Sequence, residues 1–103
     1  MLNKKFLKTK CKVEFVLPEE LTSNVETVHL VGEFNNWNET DTPLEKKGKA
    51  YKGTVDLDLD REYQFRYLIN GKEWHNDWHA DKYVPNPFSG DNSVVITHSN
   101  GNN

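Results

Sequence analysis

One cysteine, Cys11, stands among 103 residues, so no disulfide can form within the chain. Small secreted domains are usually stapled by disulfides, and their absence points to a reducing, cytoplasmic setting. Long apolar runs are missing too. The longest are triplets such as Phe15-Val16-Leu17 and Val94-Val95-Ile96. A transmembrane helix needs ~20 apolar residues in succession and a signal peptide an apolar stretch of ~7–15, so neither is expected, nor a membrane partner. A basic excess is absent as well: 13 Lys and Arg face 16 Asp and Glu, a net charge of −3. That balance argues against a nucleic-acid partner, which usually meets a basic face. The charge is nevertheless uneven. Lys4, Lys5, Lys8, Lys10 and Lys12 all precede the first acid, Glu14.

Aliphatic residues are scarce. Hydrophobic residues make up 35% of the chain and the mean hydropathy is −0.85. Yet there are 3 Trp, 4 Tyr and 5 Phe. A domain this small buries only ~60–70% of its unfolded surface. Its rings must therefore build the core or stand outside for a purpose.

The apolar period is two along most of the chain, which predicts strands. Leu7, Thr9, Cys11, Val13, Phe15 and Leu17 alternate with lysines and Glu14 in one strand that ends at Pro18. In that run Cys11 reads as a half-buried strand position, not a nucleophile, because no histidine lies near it in sequence. The lysines read as the solvent face of an edge strand, where they discourage sheet-to-sheet pairing. Glu19–Asn24 is a polar connection. Val28, Leu30 and Gly32 form a short strand that runs into Phe34. The Asn35–Gly48 stretch is mostly loop, with a brief edge strand near Pro43–Lys46.

Tyr51, Gly53, Val55, Leu57 and Leu59 make the clearest strand, followed by a turn at Asp60-Arg61. Tyr63, Phe65, Tyr67 and Ile69 form the next, with Arg66 on the opposite face. Asn70-Gly71 predicts a type I′ hairpin turn, which needs positive φ at both positions. The return strand carries Trp74. His75 to Asp91 is irregular and contains Pro85 and Pro87; Ser93–Thr97 is the last strand. Six to eight short strands without helical periodicity predict an all-β fold, an antiparallel β-sandwich of immunoglobulin-like type. Residues 1–103 read as one domain, with a core over about 5–97 and a polar tail at 98–103.

The most specific local feature is Val31-Gly32-Glu33-Phe34-Asn35-Asn36-Trp37. Gly32 permits a sharp exit from a strand, and the two asparagines present Trp37 in a polar setting, either as a binding ring or as a lid folded on the core. The order VHLVGEFNNW, EYQFRYLINGKEW, PNPFSGDNSVV resembles family 48 of carbohydrate-binding modules. That family includes the glycogen-binding module of the β-subunit of AMP-activated protein kinase. It also includes the early-set N-terminal domain of isoamylase-type and branching enzymes. The resemblance covers roughly residues 10–97.

The resemblance implies two tryptophans stacked on glucose rings, a basic residue between them, and an asparagine bonding sugar hydroxyls. By motif these are Trp37, Arg66, Trp74 and Asn92; Asn36 and Trp78, the latter a departure from the kinase-type pattern, are additional candidates. Flat rings suit the C–H-rich face of a glucose unit, while donors and acceptors at the rim suit its hydroxyls. Trp78 reads as a cap on the 75–91 loop or as an extension of the platform.

No cofactor or metal is expected. His75 and His79 are four apart with Asp77 and Asp81 nearby, but that spacing aligns ligands only on a helix. Asp56-Leu57-Asp58-Leu59-Asp60 begins like a calcium loop, yet Arg61 and Tyr67 stand where such a loop needs Gly and Glu. A glycosidase needs two carboxylates across a cleft, and none is implied. The expectation is a non-catalytic module that binds α-1,4-glucan (glycogen, starch or maltooligosaccharides). The competing reading is a protein–protein adaptor without its own sugar site, associated with a glycogen-metabolising enzyme or kinase.

Overall fold

A computed structural model describes residues 2–17, 25–87 and 90–98. Alternation of apolar and polar residues gives nine strands among these: β1 Leu2–Phe6, β2 Lys10–Leu17, β3 Val28–Gly32, β4 Glu45–Lys47, β5 Ala50–Asp58, β6 Glu62–Ile69, β7 Glu73–His75, β8 Lys82–Pro85 and β9 Asp91–Ile96. All pairings are antiparallel. One sheet has the order β1-β2-β5-β4 and the other β3-β6-β9-β8, with β7 added on β6. The molecule is the immunoglobulin-like sandwich that the strand pattern predicts. No helix among the described residues is long and apolar enough to cross a membrane.

Nine strands are one more than the upper bound of the expected six to eight, and two of them, β1 and β8, lie where no separate strand was expected. The single strand expected to run from Leu7 is a hairpin instead: β1 pairs with β2, and Leu7–Thr9 is the turn between them. The lysine-rich start is therefore not one edge strand. Lys10 and Lys12 lie on β2, an interior strand, and Lys4 and Lys5 lie on β1, the edge. Lys4 sits in the inward phase of β1, opposite Val13, and its Nζ reaches Asp81 of the other layer at 2.6 Å. β8 was the other unexpected strand, inside the stretch read as irregular. The polar connection at 19–24 and the tail from 99 onward fall outside the described residues.

The core between the sheets is built of rings. Phe15, Phe65 and Tyr67 are completely buried, Tyr51 is nearly so, and Tyr63 is half-buried. Phe15 meets Phe65 edge-on at 5.0 Å between centroids, and Phe65 meets Tyr67 the same way at 5.8 Å. Phe34 extends the stack toward Phe15 and Tyr63 at 5.6 and 6.1 Å. Edge-to-face pairs of this kind add stabilisation beyond their buried area. Cys11 is fully buried rather than half-buried, and burial pushes its thiol up, away from reactivity.

Tyr67 also carries a buried polar group. Its hydroxyl donates to Asp77 Oδ2 at 2.7 Å, and Asp77 is only 2% exposed. Asp77 N donates to Ser93 Oγ at 2.9 Å, Asp77 Oδ1 accepts from His79 N at 2.7 Å, and its carbonyl accepts from the Tyr83 hydroxyl at 2.5 Å. These bonds fasten the segment after β7 to β6, β9 and β8. Burial, with the Asp77 carboxylate beside it, holds the Tyr67 phenol well above its ordinary value of 10.0.

Two glycines sit at close approaches of different kinds. A Cβ at Gly32 would lie 2.7 Å from Gln64 O and 2.8 Å from Phe65 Cβ, both atoms of a neighbouring strand. A Cβ at Gly53 would meet only the movable Cδ2 end of Leu44. The hairpin at Asn70-Gly71 has φ of 55° and 71°, the left-handed pair that its sequence predicts.

Gly32→Ala should cost about 1–3 kcal/mol as overpacking against immovable atoms, and lower Tm by roughly 5–20 °C. Gly53→Ala should lower Tm clearly less; equal losses in thermal unfolding would contradict this difference. A second expectation concerns pH. The Tyr67 phenol has a higher pKa folded than unfolded, so its contribution is intact below about pH 10 and fades as pH rises above it. Tyr67→Phe should cost about 1–3 kcal/mol at neutral pH by leaving Asp77 short of a donor. Urea midpoints should show that gap narrowing between about pH 8 and about pH 11. A constant gap would contradict the assignment.

Candidate functional site

The outer face of the five-stranded sheet carries a groove of about 560 Å³. Its floor comes from the same alternation that builds the core. Tyr63, Phe65 and Tyr67 point inward from β6, so Gln64, Arg66 and Leu68 point outward. Register then sets their neighbours: Gln64 is opposite Val94, Arg66 opposite Val31, and Leu68 opposite both His29 and Trp74.

Trp37, Arg66, Trp74 and Asn92 all line this groove, although they are far apart in sequence. Glu33, Gln64, Asn86 and Pro87 complete it. Trp37 is 39% exposed and Trp74 42%, so each ring is partly seated and partly open to solvent. Trp37 is thus not a closed lid on the core. Asn36 and Trp78 do not line the groove.

The loop that carries Trp37 is fixed by Asn35. Its Oδ1 accepts from Gly32 N at 3.1 Å, and its Nδ2 donates to Leu30 O at 2.9 Å and to Thr42 Oγ1 at 3.0 Å. After a short 3-10 turn, Glu33–Asn35, both Asn36 and Trp37 adopt positive φ, 57° and 56°. Asparagine tolerates that region, but for a bulky residue such as tryptophan it is an outlier held by its surroundings. Here the holding bond is Trp37 N to Gly32 O at 2.8 Å. Asn36 is the left-handed residue that turns the chain toward Trp37.

The polar members are pre-set by hydrogen bonds. Arg66 donates from Nε and Nη2 to the Asp91 carbonyl at 3.1 and 2.7 Å. Asn76 Nδ2 donates to the same carbonyl at 2.8 Å. Gly90, at φ 68°, lies so close that a Cβ there would come within 3.3 Å of Arg66 Nη2. Asn92 is only 5% exposed. Its Nδ2 donates to Gln64 Oε1 at 2.9 Å, and its Oδ1 accepts from Asn86 Nδ2 at 3.0 Å. Glu33 Oε1 accepts from Gln64 N at 2.7 Å, which brings a carboxylate to the groove wall.

Sequence reasoning missed Glu33, Gln64, Asn86 and Pro87 as groove residues. Gln64 was within reach, since it shares the outward phase of Arg66. Glu33, Asn86 and Pro87 sit in turns, where no period reports direction. Trp78 departs from the loop-capping expectation. It is 57% exposed, and Asp77 is the residue that ties the loop down. Among the described residues no group of three or more His, Cys, Asp or Glu could hold a metal ion. His75 pairs with Glu73 at 3.5 Å, and Asp77 and Asp81 are bonded within the fold.

A search of curated proteins returns no match. The family model of carbohydrate-binding module 48 (isoamylase N-terminal domain) matches residues 18–88. That span takes in the Gly32–Trp37 turn, all of β6 and Trp74, though it stops short of Asn92. The match extends over more than half of the chain, and the protein belongs to the carbohydrate-binding module 48 (isoamylase N-terminal domain) family.

Proposed function

We propose that the protein binds α-1,4-glucan of glycogen or starch type, without acting on it, through stacking of glucose rings on Trp37 and Trp74. Membership in a family of non-catalytic carbohydrate-binding modules carries the general part, glycan binding. The observation that supports the specific part is convergence. Trp37, Arg66, Trp74 and Asn92 come from separate points of the chain and meet in one groove. Its volume falls within the ~300–1,000 Å³ typical of ligand sites, and its combination of two open rings with a polar rim suits a sugar.

Each member has a role in this reading. The two indoles take the C–H faces of the sugar. Arg66 is the charged donor at the rim, fixed by the Asp91 carbonyl. Asn92, with both ends of its amide engaged, acts chiefly by orienting Gln64 and Asn86 toward the groove. Glu33 and Gln64 add acceptors for hydroxyls. The uncommon backbone of Trp37 is explained as strain retained at a functional ring. The single buried thiol suits a reducing compartment such as the cytoplasm. Ordering a short oligosaccharide offsets much of the gain, so affinity should lie on the order of millimolar to tens of micromolar.

Trp37→Ala should reduce glycogen co-sedimentation by about tenfold or more in apparent affinity, as removal of a central tryptophan does at binding hot spots. The variant should still unfold cooperatively. Unchanged glycogen binding would overturn the stacking role. Retained binding together with loss of a co-purifying protein would favour the adaptor reading instead.

A further inference from the structure

Trp78 is the most exposed large hydrophobic side chain among the described residues, at 57%, and it lies outside the groove. It follows Trp74 by four residues, so at ~3.3–3.6 Å per residue its Cα is within about 14 Å of that of Trp74. A ring this exposed contributes little to packing. Its backbone is nevertheless held on both sides. Asp77, just before it, bonds Tyr67, Ser93 and Tyr83, and His79 N, just after it, donates to Asp77 Oδ1.

The same segment is tied to the groove. Ser93 Oγ accepts from Asp77 N and donates to Asn76 Oδ1, and Asn76 Nδ2 donates to the Asp91 carbonyl that fixes Arg66. Asn76 thus connects the turn that presents Trp78 with the groove's charged rim. A second open ring, Tyr83 at 44% exposure, is joined to this turn through its hydroxyl on the Asp77 carbonyl.

We propose that Trp78 is an outlying contact for the glucan, engaging sugar units of a longer chain that leaves the groove past Trp74. This rests on the glucan reading above. An indole on a pre-fixed turn loses little freedom on binding. A polymer held in the groove presents its next units at high effective concentration, so even a weak second contact raises overall affinity. Units too few to leave the groove gain nothing from it.

Calorimetric titration of maltotriose and maltoheptaose into the protein, Trp78→Ala and Trp78→Phe tests this. Trp78→Ala should weaken maltoheptaose about three- to tenfold and leave maltotriose unchanged, with Trp78→Phe in between. Thermal unfolding should show equal stability for all three proteins. Maltoheptaose affinity unaffected by Trp78→Ala would overturn the proposal, as would equal weakening of both sugars, which would make Trp78 a residue that shapes the groove. Failure of the unaltered protein to bind either sugar would instead overturn the glucan reading beneath it.

Discussion

Strand β6 is bonded along its two edges to β3, β9 and β7, and the two faces of that one strand serve different ends. Phe65, Tyr67 and Ile69 fill the core from one face, while Gln64 and Arg66 enter the groove from the other. A slip of one residue would drive Arg66 into an apolar interior and send Phe65 and Tyr67 into water. Burial of those rings therefore fixes the position of the groove's polar members as firmly as it fixes the fold. Gly32 belongs to the same constraint. With no side chain, it lets β3 close against Phe65 and Gln64 at the point where the chain must turn toward Trp37.

Among the described residues the groove is shaped mostly by backbone acceptors and side-chain amides. One carbonyl, of Asp91, receives bonds from both Arg66 and Asn76. One amide, of Asn35, closes three bonds around the Gly32–Thr42 bend. The Asn86–Asn92–Gln64 chain joins three residues that line the groove. Such bonds are short and directional, and they hold the Trp37 turn and the polar rim in place before any ligand arrives. In a chain with so few aliphatic residues, this polar scaffold does for the outer face what the aromatic stack does for the interior.

The strand pattern was readable wherever one face is buried and the other wet. β5, β6 and the Asn70-Gly71 turn follow directly from alternation and from the φ requirement of the turn. β1 was not readable because no glycine or proline marks the bend at Leu7–Thr9, so its residues ran on into the alternation of β2. β8 was hidden because it has four residues, three of them exposed or prolyl, and therefore no two-faced pattern. The groove shows the same division. Arg66 and the tryptophans could be picked out from phase and resemblance. Glu33 depends on a bond to Gln64, far from it in sequence, and Asn86 on bonds across the turn to Gly90 and Asn92, and no apolar period encodes either. Asp77 looked like a loop carboxylate near two histidines, whereas its burial against Tyr67 makes it an anchor of the fold.

The central claim is that Trp37 and Trp74 are open on one face of a pre-formed groove and stack there on α-glucan. Its most direct test is a titration of ¹⁵N-labelled protein with maltoheptaose, following the indole N–H signals and the backbone amides. The Trp37 and Trp74 indoles should shift progressively as sugar approaches millimolar concentrations, while amides of the core residues Phe15 and Val95 stay in place. Indole signals of Trp37 and Trp74 that do not move at millimolar sugar would contradict the claim.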